Sequence, residues 1–331
     1  MGVLAVSLIG SLGIGSTPIP AADAAHVVAT HLFGAAMRDP AVDAIVWDLR
    51  APRGLLAVAV GAGLAVTGAT MQTLVRNPLA DPHLLGVSAG ASVGATAVIT
   101  GGAFAGAGSW ALSAGAFAGA LAAAALVFLV AAAQGGLAPL RLVLTGTVMA
   151  SAFSALASYL VFSSDEPQAA QSVLFWLLGS FAGAEWSQLP VPVAVVAVGT
   201  LVLLGLGGWL DALAAGPETA ASLGVSVRWL RIALFVVLAV VVGAMVAVAG
   251  AIGFVGLIVP HMARLLVGAR HRVVLPTAAL IGATFTLWVD VAARLVGGAA
   301  EIPLSVITGL LGAPAFLLLL GRRRSLYGGP A

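Results

Sequence analysis

The stretch RAPRGLLAVAVGAGLAVTGATMQTLVRNPLADPHLLGVSAGASVGA (residues 50–95) joins two apolar, glycine-rich segments through a short polar turn. Residues 54–75 carry no charge, and a helix needs about 20 mostly apolar residues to cross about 30 Å of hydrocarbon. The Asn-Pro and Asp-Pro pairs within residues 76–83 favour a non-helical turn, and an Asp before a Pro is typical of a helix start. The stretch therefore predicts two membrane-spanning helices connected by a solvated turn.

Three glycines, Gly86, Gly90 and Gly94, recur at every fourth position of the second segment. Residues four apart lie on one face of a helix, and small residues there allow a neighbouring helix to approach closely. We expect this face to be a helix-packing surface.

The whole chain has the composition of an integral membrane protein. Of its 331 residues, 61% are hydrophobic and 8% are charged, whereas soluble proteins carry about 25% charged residues. The 14 basic residues are all arginine, and there is no cysteine. A Walker A lysine, a lysine Schiff base, a disulfide and a thiolate metal site are therefore excluded. Any ATP hydrolysis coupled to this chain must occur on another chain.

The uncharged segments predict an all-α, polytopic fold with about ten membrane-spanning helices. Residues 84–140 are long enough for two helices joined at the glycines of 101–108, and Pro260 favours a short or irregular helix at 254–268. Residues 2–15 would span only about 21 Å, so we expect a first helix that begins upstream of this chain start. A signal peptide is the alternative, but no basic region precedes the segment. The remaining spans are predicted at 54–75, 142–162, 190–208, 232–250, 273–295 and 304–320.

The distribution of arginine predicts the orientation, because cytoplasmic loops are enriched in basic residues. If the turn at 76–83 is cytoplasmic, all but four of the 14 arginines lie on that side, and both termini are cytoplasmic. Arg322–Arg324 is then a topology anchor, with contact to anionic lipid as a second role. The outer arginines are Arg38, Arg50, Arg53 and Arg294.

Residues 50–95 strongly resemble the FecCD family of ABC importer permeases. Similar motifs follow in the same order at 171–181 (QSVLFWLLGSF), 249–268, 271–283 and 301–320, so the resemblance covers nearly the whole chain beyond about residue 45. It implies a single transmembrane permease domain over residues 1–331 with the type II ABC importer fold, in the bacterial inner membrane. The family carries iron–siderophore complexes, haem or cobalamin, and we expect a ferric siderophore here, with haem and cobalamin as alternatives.

The resemblance also implies the partners. They are a second copy of the chain, two cytoplasmic ABC ATPase subunits and a periplasmic or lipid-anchored substrate-binding protein, together with membrane lipids. The chain itself is expected to be no enzyme, to hold no cofactor and to bind no nucleic acid.

Residues 209–230 form the longest predicted cytoplasmic segment. The residues alone predict two short helices separated at Gly216. On the residues alone, the simpler interpretation of the segment is an ordinary solvated loop without a partner. The resemblance implies that they are the coupling helices, which enter a cleft of the ATPase. An acidic residue often stands in the family where this chain has Pro217. The implied coupling residues are Asp211, Gly216, Glu218, Ala220, Leu223 and Gly224.

Arg50, Arg53 and Arg294 are the outer arginines closest to predicted helix ends. Asp290 and Arg294 are four apart on one helical face, which allows an ion pair worth a few tenths of a kcal/mol when exposed. Interface anchoring and this pair are the simpler roles. The resemblance implies that the three arginines receive acidic residues of the binding protein, for which the planar guanidinium is suited.

The translocation path is expected between two copies, lined by helices such as 142–162. The resemblance implies an external gating helix at about 168–180, with Trp176, Gly179 and Ser180, whereas the residues alone favour an interfacial helix anchored by tryptophan. The resemblance also implies an inner gate at two turns. The first turn contains Leu79 and Leu85, and the second contains Ala138 and Pro139.

The five histidines do not form a clustered ligand spacing, so we predict no metal or haem site among His26, His31, His83, His261 and His271. A secondary transporter is a distant alternative, but it would place ionisable residues in mid-membrane, and the charges here gather at predicted span ends. A membrane enzyme would need a catalytic cluster at one depth, and the sequence indicates none.

Overall fold

The computed structural model describes residues 2–296 and 301–327, and at residues 105 and 319–327 it describes the backbone alone. Every regular element in these residues is a helix, which confirms the all-α prediction. The side chains of Arg322–Arg324, the predicted anchor, lie outside the described part.

The helices follow the order of the predicted spans. Within the described residues, six helical stretches are long and apolar enough to cross a membrane. The first of them combines a short helix, a π-helical turn and a long helix into Pro40–Leu74. In chain order the α-helices are α1 (Gly2–Gly13), α2 (Ala21–Phe33), α3 (Pro40–Asp43), α4 (Ala51–Leu74), α5 (Val87–Gly101), α6 (Ala111–Ala133), α7 (Pro139–Phe162), α8 (Ala169–Leu178), α9 (Pro190–Gly205), α10 (Gly207–Ala215), α11 (Pro217–Ser222), α12 (Val227–Ala249), α13 (Val255–Val267), α14 (His271–Val296) and α15 (Leu304–Tyr327).

Each of the ten predicted spans coincides with a helix, although four of these helices have apolar parts of 10–17 residues. They are α1, α5, α13 and the described apolar part of α15, Leu304–Leu318. Pro260 lies inside α13 without ending it. The sequence did not predict α2 and α3, which are short helices between the first two spans.

Helix α4 is the centre of the bundle. In an apolar 18-residue stretch of the continuous helix Pro40–Leu74, 83% of the residues are buried inside the protein. The helix is therefore enclosed by other helices rather than by lipid. A Cβ atom at Gly61 would overlap the Gly282 carbonyl of α14, and one at Gly68 would overlap the Gly256 carbonyl of α13. The two glycines let α4 approach both neighbours backbone to backbone, as is common in membranes.

The glycine repeat of α5 packs against α6. A Cβ atom at Gly90 would overlap the Gly119 carbonyl, and one at Gly94 would overlap the Gly115 carbonyl. Gly86 differs from the prediction, because it lies before the helix with φ 74°. It joins the 3₁₀ turn Pro82–Leu85 to α5, and this left-handed conformation favours glycine.

Candidate functional site: two polar ends of a helical bundle

The polar side chains that tie helices together lie at two ends of the bundle. We call the end that carries α10 and α11 the α10/α11 end, and the opposite end the Arg53 end. Helix α4 connects them, because Arg53 stands at its start and Thr73 near its last turn.

At the α10/α11 end, Asp211 connects α10 to the start of α14. Its Oδ1 accepts hydrogen bonds from the backbone N–H of His271 at 2.9 Å and from the imidazole Nδ1 at 2.6 Å. The Nε2 of the same imidazole lies 2.7 Å from the Thr73 hydroxyl of α4. His271 is only 2% exposed. Asp211 and His271 therefore link α10 to both α4 and α14.

Helix α11 presents an exposed surface beside this connection. Gly216 ends α10 with φ 133°, and Gly224 follows α11 with φ 80°, so the two short helices match the sequence prediction. Ala220 is fully buried, whereas Leu223 is 67% exposed, and Glu218 is exposed as well. An exposed leucine and carboxylate beside a rigid polar connection form a surface that a partner can engage.

The turn after α4 is held by its own side chains. The side-chain oxygens of Asn77 and Asp81 each accept a backbone N–H two residues later, at 2.9 Å. His83 bonds to Ser88 through Nδ1, and its Nε2 lies 3.0 Å from the Ile252 carbonyl, which ties the turn to the loop before α13.

The predicted inner-gate residues have different environments. Leu79 is 47% exposed at the tip of the turn, whereas Leu85 is fully buried. Ala138, the N-cap residue of α7, and Pro139, its first residue, are partly exposed. The structure therefore leaves Leu79, Ala138 and Pro139 accessible and makes Leu85 a core residue.

Helix α13 is attached to α4 by a second polar contact. Arg264 donates to the Gln72 side-chain oxygen at 2.5 Å, and the Gln72 amide donates to the Leu257 carbonyl at 3.1 Å. The sequence did not point to Gln72, because a single amide within an apolar run gives no pattern.

At the Arg53 end, the predicted docking arginines are buried and have internal partners. Arg50, Arg53 and Arg294 are 6%, 7% and 7% exposed. Arg50 donates to the carbonyls of Leu12 and Thr17 at 2.7 and 2.6 Å. Arg50 therefore fixes the end of α1 against the start of α4.

Arg53 and Arg294 share one carboxylate. Arg53 Nε lies 2.7 Å from Asp290 Oδ1, and Arg294 Nε lies 3.2 Å from Asp290 Oδ2. The predicted Asp290–Arg294 pair is thus present, but Asp290 is 0% exposed, so it is a buried ion pair rather than an exposed one. Arg53 Nη1 also binds Glu301 at 2.6 Å. Glu301 was not singled out in the sequence, since one carboxylate before the last span does not indicate its partner.

The predicted gating helix α8 lines a cavity of about 510 Å³ at this end. Trp176, Gly179 and Ser180 contribute to its wall together with the start of α6, the end of α12 and Glu301. The Gly179 carbonyl accepts the N–H of Leu304, and the N–H of Ser180 donates to the Ala249 carbonyl, both at 3.0 Å. The end of α8 is thereby attached to α12 and α15.

The histidines have structural partners. His31 lies 3.0 Å from Asp43 and stacks on Trp47 with ring centroids 4.1 Å apart. Within residues 2–296 and 301–327, no three His, Asp or Glu residues are grouped so that they could hold a metal ion.

The family model described as the FecCD transport family matches residues 3–322. This chain belongs to the FecCD transport family. As a member of it, the protein is the permease subunit of an ABC importer in the bacterial inner membrane, and ATP is hydrolysed by a separate ATPase. The secondary-transporter alternative is therefore wrong.

Several characterised proteins are similar to this FecCD permease. It is 36% identical to the molybdate import permease MolB of Haemophilus influenzae, over 96% of this chain and 93% of that protein. It is 42% identical to the cobalamin import permease BtuC of Halobacterium salinarum (84% and 74%) and 38% identical to the Fe(3+)-citrate import permease YfmD of Bacillus subtilis (85% and 83%).

The fold agrees with the family assignment. A solved structure described as an inward-facing ABC transporter of the metal-chelate type superposes with a TM-score of 0.83 at 36% identity. The match covers 97% of this chain and 96% of that one. The names of these FecCD relatives give three different cargoes, molybdate, cobalamin and ferric citrate. Iron complexes and cobalamin are among the cargoes that the sequence resemblance implies, but molybdate is not.

Proposed function

We propose that this permease carries a ferric siderophore from a binding protein into the cytoplasm. The observation that carries the proposal is the close match, over nearly the whole chain, to a transporter of the metal-chelate type. The ferric citrate relative points in the same direction. A cavity of about 510 Å³ beside the predicted gating helix has the size of small-molecule sites, about 300–1,000 Å³.

The cargo is tested by uptake into proteoliposomes that contain this chain with its ATPase and binding protein. Ferric siderophore, haem, cobalamin and molybdate are supplied in parallel at equal concentration. Uptake of the siderophore alone supports the proposal. Uptake of cobalamin, haem or molybdate instead would overturn it. Of these three cargoes, cobalamin is favoured by the 42% identical BtuC relative.

The second copy of the chain is proposed to cover α7. This helix is apolar, but only 22% of the residues in an apolar 18-residue stretch of it are buried within one chain. Leu140, Leu144 and Val148 are 71%, 57% and 68% exposed, and residues four apart form one stripe. We place the translocation path between two such helices.

The chain has no cysteine, which allows a clean test of this homodimer. Val148→Cys is expected to cross-link two copies on mild oxidation. Leu201→Cys on α9 has nearly the same exposure, 67% against 68%, and serves as the matched control, which is expected to form no disulfide cross-link. Cross-linking of Leu201→Cys without Val148→Cys would place the interface on α9.

Docking of the binding protein is proposed at the Arg53 end. Asp290 and Glu301 neutralise two of the positive charges of Arg50, Arg53 and Arg294, which leaves the cluster cationic at neutral pH. Acidic residues of a binding protein are attracted by that charge, and they can compete with Glu301, which is 35% exposed, for the Arg53 guanidinium.

Two substitutions separate docking from a structural role. Arg50→Glu with Arg53→Glu is expected to abolish binding-protein association at low salt, but it also removes buried contacts. Glu301→Gln gives the clearer result, because it frees Arg53 without removing a cation. Tighter binding of the binding protein supports docking, whereas unchanged affinity with lowered stability would make Arg53 purely structural.

Coupling to the ATPase is proposed at α10 and α11. The exposed Leu223 and Glu218 are suited to contact the partner, and Asp211 passes the movement of α10 to α4 and α14 through His271. Leu79, Ala138 and Pro139 are proposed as the inner gate, and Trp176, Gly179 and Ser180 as the outer gate.

A further inference from the structure

A second cavity, of about 490 Å³, opens at the α10/α11 end between the last two turns of α6, the loop before α7 and the first two turns of α12. Its charged lining consists of Arg228 and Arg231. Its apolar lining includes Phe128, Leu137 and Ile232. The cavity is therefore amphipathic, with guanidinium groups beside an apolar wall.

The positive charge of this cavity has no counterion in the described part of the chain. The ion pairs of residues 2–296 and 301–318 involve neither Arg228 nor Arg231. Arg231 Nε is buried and lacks a hydrogen-bond partner. Arg76 is close enough to act electrostatically on Arg231, and Arg141 donates to the Gly136 carbonyl of the cavity wall at 3.0 Å. Arg228 is exposed and Arg231 is half-buried. Like charges that lie close together repel each other, and an anion in the cavity relieves that repulsion.

The start of α12 adds to the positive potential. Both arginines lie in its first two turns, which contain no carboxylate, and the side chain of the N-cap residue Ser226 forms no capping hydrogen bond. The free N–H groups of a helix start carry partial positive charge and favour an anion.

The exposed face of α12 indicates what kind of anion fits. Trp229 and Val236, seven residues apart on one face, are 67% and 51% exposed, and Val236 lies in an apolar groove with α9. A soluble anion uses only the arginines. A phospholipid uses both features, with its phosphate on the arginines and its acyl chains along the apolar face.

We propose that this cavity binds the headgroup of an anionic phospholipid of the adjoining leaflet. Basic pockets between membrane helices on the cytoplasmic side are suited to such headgroups, and this end is the one predicted to be cytoplasmic. Ala138 of the proposed inner gate also lines this cavity, but Arg228 and Arg231 have no part in the proposed gate or in the docking of the binding protein.

The test is the binding of phosphatidylglycerol and phosphatidylcholine to the full-length protein in neutral detergent, measured by native mass spectrometry. The wild-type protein is expected to prefer phosphatidylglycerol. Arg228→Gln with Arg231→Gln is expected to lower its affinity for phosphatidylglycerol about 30-fold. Arg270→Gln with Arg272→Gln, which removes the same charge outside the cavity, is the matched control and keeps the preference. Equal losses in the two double variants, or no wild-type preference, would overturn the proposal.

Three further measurements separate lipid binding from other causes. Arg228→Lys with Arg231→Lys keeps the charge and is expected to keep the preference for phosphatidylglycerol, which shows that loss in the glutamine variant is not misfolding. A lysine variant that loses as much affinity overturns the proposal. So does displacement of phosphatidylglycerol by equimolar inorganic phosphate, which indicates a soluble anion. Loss of the preference on addition of the ATPase also overturns it, because the partner then covers the cavity.

Discussion

Replacement of Asp290 by alanine is expected to lower the free energy of unfolding by about 3–5 kcal/mol, the cost of removing one partner from a buried ion pair. Asp290 is 0% exposed, and its two oxygens lie 2.7 Å from Arg53 Nε and 3.2 Å from Arg294 Nε. Among the described ion pairs, the substitution leaves Arg53 with Glu301 alone and removes the pair of Arg294. The loss is far larger than the few tenths of a kcal/mol of the exposed pair predicted from spacing.

Reversible unfolding in mixed micelles, followed by tryptophan fluorescence, measures this loss. Asp165→Ala is the matched control, because Asp165 is exposed at the surface and such substitutions change stability by less than about 0.5 kcal/mol. Asp290→Asn keeps the size of the side chain and an acceptor for Arg53. It is therefore expected to lower the free energy of unfolding less than Asp290→Ala does.

A double variant shows whether the charges act together. Arg294→Met in the Asp290→Ala background removes a guanidinium that has already lost its counterion, so the double variant is expected to lose less stability than the sum of the single variants. Additive losses, or an Asp290→Ala protein within about 0.5 kcal/mol of wild type, would refute the account of this cluster.

Three further substitutions test the other parts of the structure. Asp211→Ala removes two hydrogen bonds from His271 and is expected to lower the free energy of unfolding by about 1–3 kcal/mol. It is also expected to reduce cargo-stimulated ATP hydrolysis, and full stimulation would contradict the role of Asp211 in linking α10 to α4 and α14. Gly94→Leu is expected to destabilise the protein by about 1–3 kcal/mol through overpacking, whereas Gly101→Leu, with open space around it, changes little; equal melting temperatures would contradict the close approach of α5 and α6. Leu223→Asp leaves stability unchanged because the side chain is 67% exposed, but it is expected to prevent co-purification with the ATPase, and normal co-purification would rule out this contact.

The helices could be predicted from the sequence because their signals are local. The uncharged run after Arg53 and the Pro-containing turn after Arg76 both indicate where a helix crosses and where it ends. The same local reasoning was wrong for Gly86, which continues the four-residue repeat but precedes the helix. It also missed α2 and α3, since short helices of mixed polarity lack the long apolar run that marks a span.

The environment of the polar residues could not be predicted, because it depends on contacts between distant parts of the chain. Arg53 and Asp290 are 237 positions apart, and Arg53 and Glu301 are 248 apart. Sequence spacing identifies only the local pair of Asp290 and Arg294. It places the arginines at the correct end of their helices, but it cannot show that their side chains are buried among internal partners.

The most direct test of the central claim, that this chain is the permease of an ATP-driven importer, is the ATP dependence of transport. Proteoliposomes containing the chain, its ATPase and its binding protein are loaded with ATP, and uptake of the ferric siderophore is compared with that of vesicles whose ATPase lacks the Walker A lysine. The account predicts uptake only with ATP and the intact ATPase. Uptake at the same rate without ATP, or with the inactive ATPase, would contradict it.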